Sequence, residues 1–102
     1  MFGLPLTRAV EFRAVLQKGN RFQVPKLVRW EFKLESRQVL KVTVDCVGHY
    51  IQAEYFFARM NSDGRITIPK LALDLLQGRL DTQSMVGSVL RVKLEPSGVE
   101  VH

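Results

Sequence analysis

The chain is expected to fold as a mainly β protein with short helices, built from two internal ββαββ repeats (about residues 10–54 and 55–102) within a single domain, 1–102. Three observations lead there. Phe12-Arg13-Ala14 followed by Asn20-Arg21-Phe22-Gln23-Val24-Pro25-Lys26-Leu27 returns, at one constant offset, as Phe56-Phe57-Ala58 followed by Gly64-Arg65-Ile66-Thr67-Ile68-Pro69-Lys70-Leu71. Each copy alternates apolar and polar residues around a turn containing Gly or Asn, which is the period of strands. Each then reaches Pro-Lys, after which the apolar spacing becomes helical. At 102 residues and 46% hydrophobic content the chain can bury one modest core, so the copies are expected to share it.

In copy one, residues 10–16 roughly alternate, Lys18-Gly19-Asn20 supplies a turn, and residues 21–24 alternate again, which predicts a β-hairpin. Pro25 suits the first position of a helix, where its missing N–H costs nothing. The segment beyond it is ambiguous: Val28 and Phe32 are four apart, but Trp30, Phe32 and Leu34 also alternate with Arg29, Glu31 and Lys33. The duplication decides for a helix. Strands are expected at 39–44 and, after Gly48, at 49–55.

In copy two, residues 55–60 lead into Asn61-Ser62-Asp63-Gly64, a strong tight-turn signal. In the strand that follows, Ile66 and Ile68 share one face while Arg65 and Thr67 share the other. Leu71, Ala72, Leu75 and Leu76 predict a helix stopping near Gly78. Strands are expected at 89–94 and, past Pro96-Ser97-Gly98, at 99–101. Leu40 matches Leu90 only if copy two carries six extra residues, expected in the loop around 81–87.

The segments Gly64-Arg65-Ile66-Thr67-Ile68-Pro69-Lys70 and Asn20-Arg21-Phe22-Gln23-Val24-Pro25-Lys26 resemble the signature of the AbrB/SpoVT swapped-hairpin family, and Val86-Gly87-Ser88-Val89-Leu90-Arg91-Val92-Lys93-Leu94 resembles its closing strand. The resemblance spans about residues 10–46 and 54–101. It implies a swapped-hairpin β-barrel with both copies fused in one chain, a pseudo-dimer similar to the MraZ proteins. It also implies a transcriptional or chromosome-associated protein that binds double-stranded DNA. Carried over by residue, Arg21 and Arg65 are the turn arginines of the DNA-facing surface, Lys26 and Lys70 match the post-proline lysine, and Arg29 matches a basic helix position. Copy two departs there, with Leu73 in place of Arg29 and Asp74 in place of Trp30, so unequal grips are expected. Asn20 stands where the family has a turn glycine, a change Asn tolerates because it accepts positive φ.

Charge agrees with a polyanionic partner: the net is +5, with a sequence pI near 9.8. Residues 12–45 alone hold eight Lys or Arg against three acids. Arg and Lys on rigid strands neutralise phosphates, and Arg can read guanine edges as well. For Arg13, Lys18, Lys41, Arg59, Arg91 and Lys93 a solvated strand face is an equally good account. Trp30 is expected to pack partly buried, with base stacking as the alternative. RNA binding from charge alone lacks an evident aromatic platform for single strands.

An enzyme is not expected. Two histidines and one cysteine make no zinc site of usual spacing, there is no Gly-rich phosphate loop, and Asp63 reads as turn chemistry. No cofactor or metal is implied. The lone Cys46 reads as a small buried core residue and fits a reducing, cytoplasmic setting. No apolar run is long enough to span a membrane, and residues 1–8 do not read as a signal peptide. The rival function is a protein-interaction module, antitoxin-like or scaffolding. It would dock at the apolar residues 1–6, although only eight residues follow Leu94, too few for a wrapping tail. Self-association beyond the intrachain pair is a further expected partner.

Overall fold

The computed structural model describes residues 9–31, 34, 38–48, 52–80 and 85–97. In chain order these form β1 (Val10–Val15), β2 (Arg21–Gln23), α1 (Lys26–Glu31), β3 (Val39–Cys46), β4 (Glu54–Arg59), β5 (Arg65–Thr67), α2 (Lys70–Leu80) and β6 (Val89–Pro96). The fold is mainly β with two short helices. β1, β6, β3 and β4 pair in that order as an antiparallel sheet, and β2 pairs with β5 as a separate two-stranded ribbon. Among the described residues the two ladders do not close into one continuous barrel.

The hydrogen-bond register carries the duplication into space. In the ribbon Phe22 lies opposite Ile66, its own counterpart in the other copy, with Arg21 opposite Thr67 and Gln23 opposite Arg65. In the large sheet Thr43 lies opposite Lys93, and β1 meets β6 (Val10 opposite Leu94) as β4 meets β3 (Glu54 opposite Val44). One pseudo-two-fold axis through Phe22·Ile66 and Thr43·Lys93 therefore relates every ladder. The bonds at the ribbon's ends obey it too: Val24 N–H donates to the Gly64 carbonyl at 2.9 Å and Ile68 N–H to the Asn20 carbonyl at 2.8 Å.

Alternation along β3 buries Leu40, Val42, Val44 and Cys46, and along β6 it buries Leu90, Val92 and Leu94. The ribbon closes over this inner face. Phe22 and Ile66 are fully buried, and the Phe22 ring lies 6.2 Å from that of Phe12. Burying a side chain of this size contributes roughly 1.5–3 kcal/mol, so the ribbon is anchored at its centre.

The expected hairpins are corrected. β1 pairs with β6 and β2 with β5, while each β1–β2 or β4–β5 corner is closed by a backbone bond, Gln17 N–H to Arg21 at 2.7 Å and Asn61 N–H to Arg65 at 2.8 Å. Exchange wins because a local hairpin would offer β1 only a three-residue partner, whereas β6 gives it six paired residues. Asn20 and Gly64 take the same left-handed corner, with φ of 60° and 84°.

Both helices start one residue later than expected, with the prolines just outside: the Pro25 and Pro69 carbonyls accept from Arg29 and Leu73. α2 has eleven residues and runs through Gly78 instead of stopping there, and of the loop expected around 81–87 to hold the extra residues, 81–84 lie outside the described residues. Gly78 has open space around the position of a Cβ, so its weak helix propensity is a tolerable cost of about 1 kcal/mol. β3 and β6 run two residues past their expected ends. Of the expected fourth strands, 49–51 and 99–101 lie outside the described residues, and 52–53 precede β4 without strand structure. Trp30 is not packed but 75% exposed, and α1 has no buried residue.

Candidate nucleic-acid interface

Because Phe22 and Ile66 point into the core, parity turns Arg21, Gln23, Arg65 and Thr67 to the opposite face of the ribbon. The pseudo-two-fold exchanges Arg21 with Arg65 and Gln23 with Thr67, so one guanidinium stands on each strand. Gln23 and Thr67 were not among the expected site residues. Their parity with the arginines was the signal that could have found them.

The two arginines differ in how they are held. Arg65 Nη1 donates to Asp63 Oδ2 at 2.8 Å, and Arg65 Nε donates to Gln17 Oε1 at 3.0 Å. Asp63 Oδ1 also accepts the Arg65 backbone N–H at 3.0 Å, closing the Asx-type turn its sequence context suggested. The side-chain bond from Arg65, then the backbone bond, hold the Asp63 carboxyl below its ordinary pKa. Copy one has Gly19 at the position of Asp63, so no carboxylate competes for Arg21 from its own turn. Arg21 instead packs close to Gly19, and its Nε is buried without a hydrogen-bond partner.

Arg29 leaves the helix surface and reaches the opposite repeat. A Cβ on Gly64 would sit 2.5 Å from Arg29 Nη1 and 2.7 Å from Gln23 Nε2, so both side chains lie directly over the copy-two turn. Gln23 Nε2 donates to the Asp63 carbonyl at 3.2 Å, while Arg29 Nε is buried and makes no hydrogen bond. Arg29 and Arg65 thus gather with Asp63 at the copy-two turn, while the register sets Arg21 at the other end of the ribbon, opposite Thr67. Leu73, the counterpart of Arg29, is 5% exposed in the core. The two halves are therefore unequal because α2 packs inward there, against β4, and not only because a charge is missing.

Lys26 and Lys70 occupy the first positions of α1 and α2 and are exposed. Neither helix has an acid in its first turn. A cation at a helix N-terminus opposes the macrodipole by roughly 0.3–1 kcal/mol, so helix stability does not account for a lysine there in both copies. Cys46 is buried as expected; burial first, and then the neighbouring Asp45 charge, raise its thiol pKa. Among the described residues no three His, Cys, Asp or Glu side chains gather to hold a metal, and no helix is long and apolar enough to cross a membrane.

No protein-family model matches this chain, and no curated protein matches it. Among solved structures it is similar to PHS018 from Pyrococcus horikoshii, determined in solution, with a TM-score of 0.71 over 91% of this chain and 94% of that one. At 19% identity the likeness is one of fold.

Proposed function

We propose that this protein binds double-stranded DNA through the outer face of the β2–β5 ribbon, as a transcriptional regulator or chromosome-associated factor of the AbrB/SpoVT swapped-hairpin kind. In this reading the sheet and the ribbon are the two walls of a small barrel, joined at the Gln17–Arg21 and Asn61–Arg65 corners. The observation that carries the reading is a two-fold-related ribbon with an arginine on each strand. A two-stranded antiparallel ribbon is one of the few elements that fit the major groove. Arg21, Arg65, Arg29, Lys26 and Lys70 contact mainly backbone phosphates, and Gln23 and Thr67 lie beside them for base edges.

Fluorescence anisotropy of a labelled duplex at about 50 and 200 mM salt tests this. Five phosphate contacts correspond to a log–log salt slope of about −4.5, and a smaller slope is expected while Asp63 holds Arg65. The variant Arg21→Ala with Arg65→Ala is expected to weaken binding while its urea midpoint stays near the parent's. Unchanged affinity in the folded double variant overturns the assignment.

One observation favours a second reading, a protein-interaction module: Leu27 and Leu71 are symmetry counterparts on the two helices, and both are at least 73% exposed. Absence of duplex binding at low salt would move the function there.

A further inference from the structure

Pseudo-symmetry supplies an internal control for the outer face of the four-stranded sheet. β1 and β4 are its two edge strands, and they are counterparts. At matched, outward-facing positions β1 carries Glu11 and Arg13, both exposed, whereas β4 carries Tyr55 and Phe57. Tyr55 is 61% exposed and Phe57 54% exposed. The fold therefore accepts charged residues at this place, and two large rings in water on one edge are not required by packing.

The rings stand in a basic surround. They meet edge to face, with centroids 6.3 Å apart. Lys41 lies opposite Phe57 in the register, and its Nζ stands 4.9 Å from the centre of the Tyr55 ring. Thr43, opposite Tyr55, has Lys93 as its other neighbour, and Arg91 follows on the same strand face. Three acids share the face: Asp45 with Arg91 and Glu95 with Lys93, each at 3.9 Å and partly exposed, and Glu11 opposite Lys93 in the register. Such surface pairs contribute little and yield to a competing anion.

We infer that this outer face is a second nucleic-acid site, which takes single-stranded DNA by stacking bases on Tyr55 and Phe57 while Lys41 and Lys93 hold its phosphates. Aromatic rings interleaved with cations on an antiparallel sheet whose other face is buried suit a polyanion with exposed π faces. A protein partner fits less well, because lysine is depleted from the cores of protein interfaces. Thr43 and the phenol of Tyr55 are the uncharged hydroxyls among these cations and rings, and a uridine dodecamer is the comparison that tests the choice of DNA over RNA. The site is independent of the ribbon and of the duplex-binding reading.

Tyr55→Glu with Phe57→Arg gives β4 the residues β1 already carries and leaves the net charge unchanged; because it sets a carboxylate beside Lys41, Tyr55→Leu with Phe57→Leu, which adds no charge, is measured with it to isolate the loss of the rings. Anisotropy with a labelled thymidine dodecamer should show at least about a tenfold loss for each variant, since stacking on two rings is removed, and duplex affinity should hold. Arg21→Ala with Arg65→Ala should leave dodecamer binding in place whatever it does to the duplex. Should the first variant unfold in urea control experiments, Tyr55→Leu with Phe57→Leu keeps the apolar bulk and gives the same readout. The inference is overturned by no dodecamer binding to the parent, by equal affinity in a folded ring-less variant, or by tighter binding of a uridine dodecamer. It is likewise overturned if sedimentation shows a parent dimer that the variant lacks, which would assign the face to a second copy.

Discussion

Replacing Gly64 with Ala tests the geometry of the ribbon end more sharply than removing any charge. Gly64 has φ +84°, and Gly48 has φ +86° with nothing within 4 Å of where a Cβ would go. Both substitutions bear the left-handed strain, about 1–2 kcal/mol for a residue with a Cβ, offset by about 0.4–1 kcal/mol from a stiffer unfolded chain. Gly48→Ala is therefore expected to cost about 1 kcal/mol. At Gly64 the new methyl also evicts the ends of Arg29 and Gln23. Those ends are flexible and move cheaply, but the Gln23 bond to the Asp63 carbonyl is lost, adding about 0.5–1.5 kcal/mol. Urea unfolding should show the two midpoints separated accordingly, with equal m values. Duplex affinity should fall in Gly64→Ala alone, because Arg29 is displaced. Equal destabilisation within about 0.3 kcal/mol, with duplex affinity unchanged in both, would falsify the packing of Arg29 and Gln23 over the turn.

Four further outcomes follow from the same contacts. Asp63→Asn should strengthen duplex binding and steepen its salt slope by up to about one unit, because Arg65 is released to a phosphate; weaker binding in a folded variant would contradict this. The Asp63 pKa is lowered in the folded state, so its contribution is present above the unfolded carboxylate value and lost as pH falls through the folded one. Urea midpoints of parent and Asp63→Asn should accordingly converge below about pH 4. Trp30, the sole tryptophan, is 75% exposed; native emission should be red-shifted and iodide should quench it almost as well as in the unfolded chain, whereas strong protection would mean the helix packs differently. Cys46 should react slowly with a thiol reagent at neutral pH and quickly in denaturant, since burial both hides the thiol and raises its pKa.

The order strand, strand, helix, strand in each copy, the positive φ at Asn20, the shared face of Ile66 and Ile68 and the burial of Cys46 were all legible in the chain. Each depends on spacing along a few residues, on turn chemistry or on the two-residue alternation of a strand. The duplication also resolved α1, whose own pattern fitted helix and strand alike. The stop expected near Gly78 fails, because a glycine with open space around it is tolerated inside a helix.

What only the tertiary structure decided is which partner each piece takes. β2 could satisfy its backbone on β1 or on β5, and local sequence rewards both; the choice is made by burying Phe22 against Ile66 from the other copy. That non-local pairing puts Gln23 and Thr67 beside the arginines, carries Arg29 across to the Gly64 turn, lets Asp63 and Gln17 hold Arg65, and separates exposed Trp30 from buried Leu73. Periodicity along one strand determines which way a side chain faces, while its neighbours belong to whatever strand the fold sets beside it.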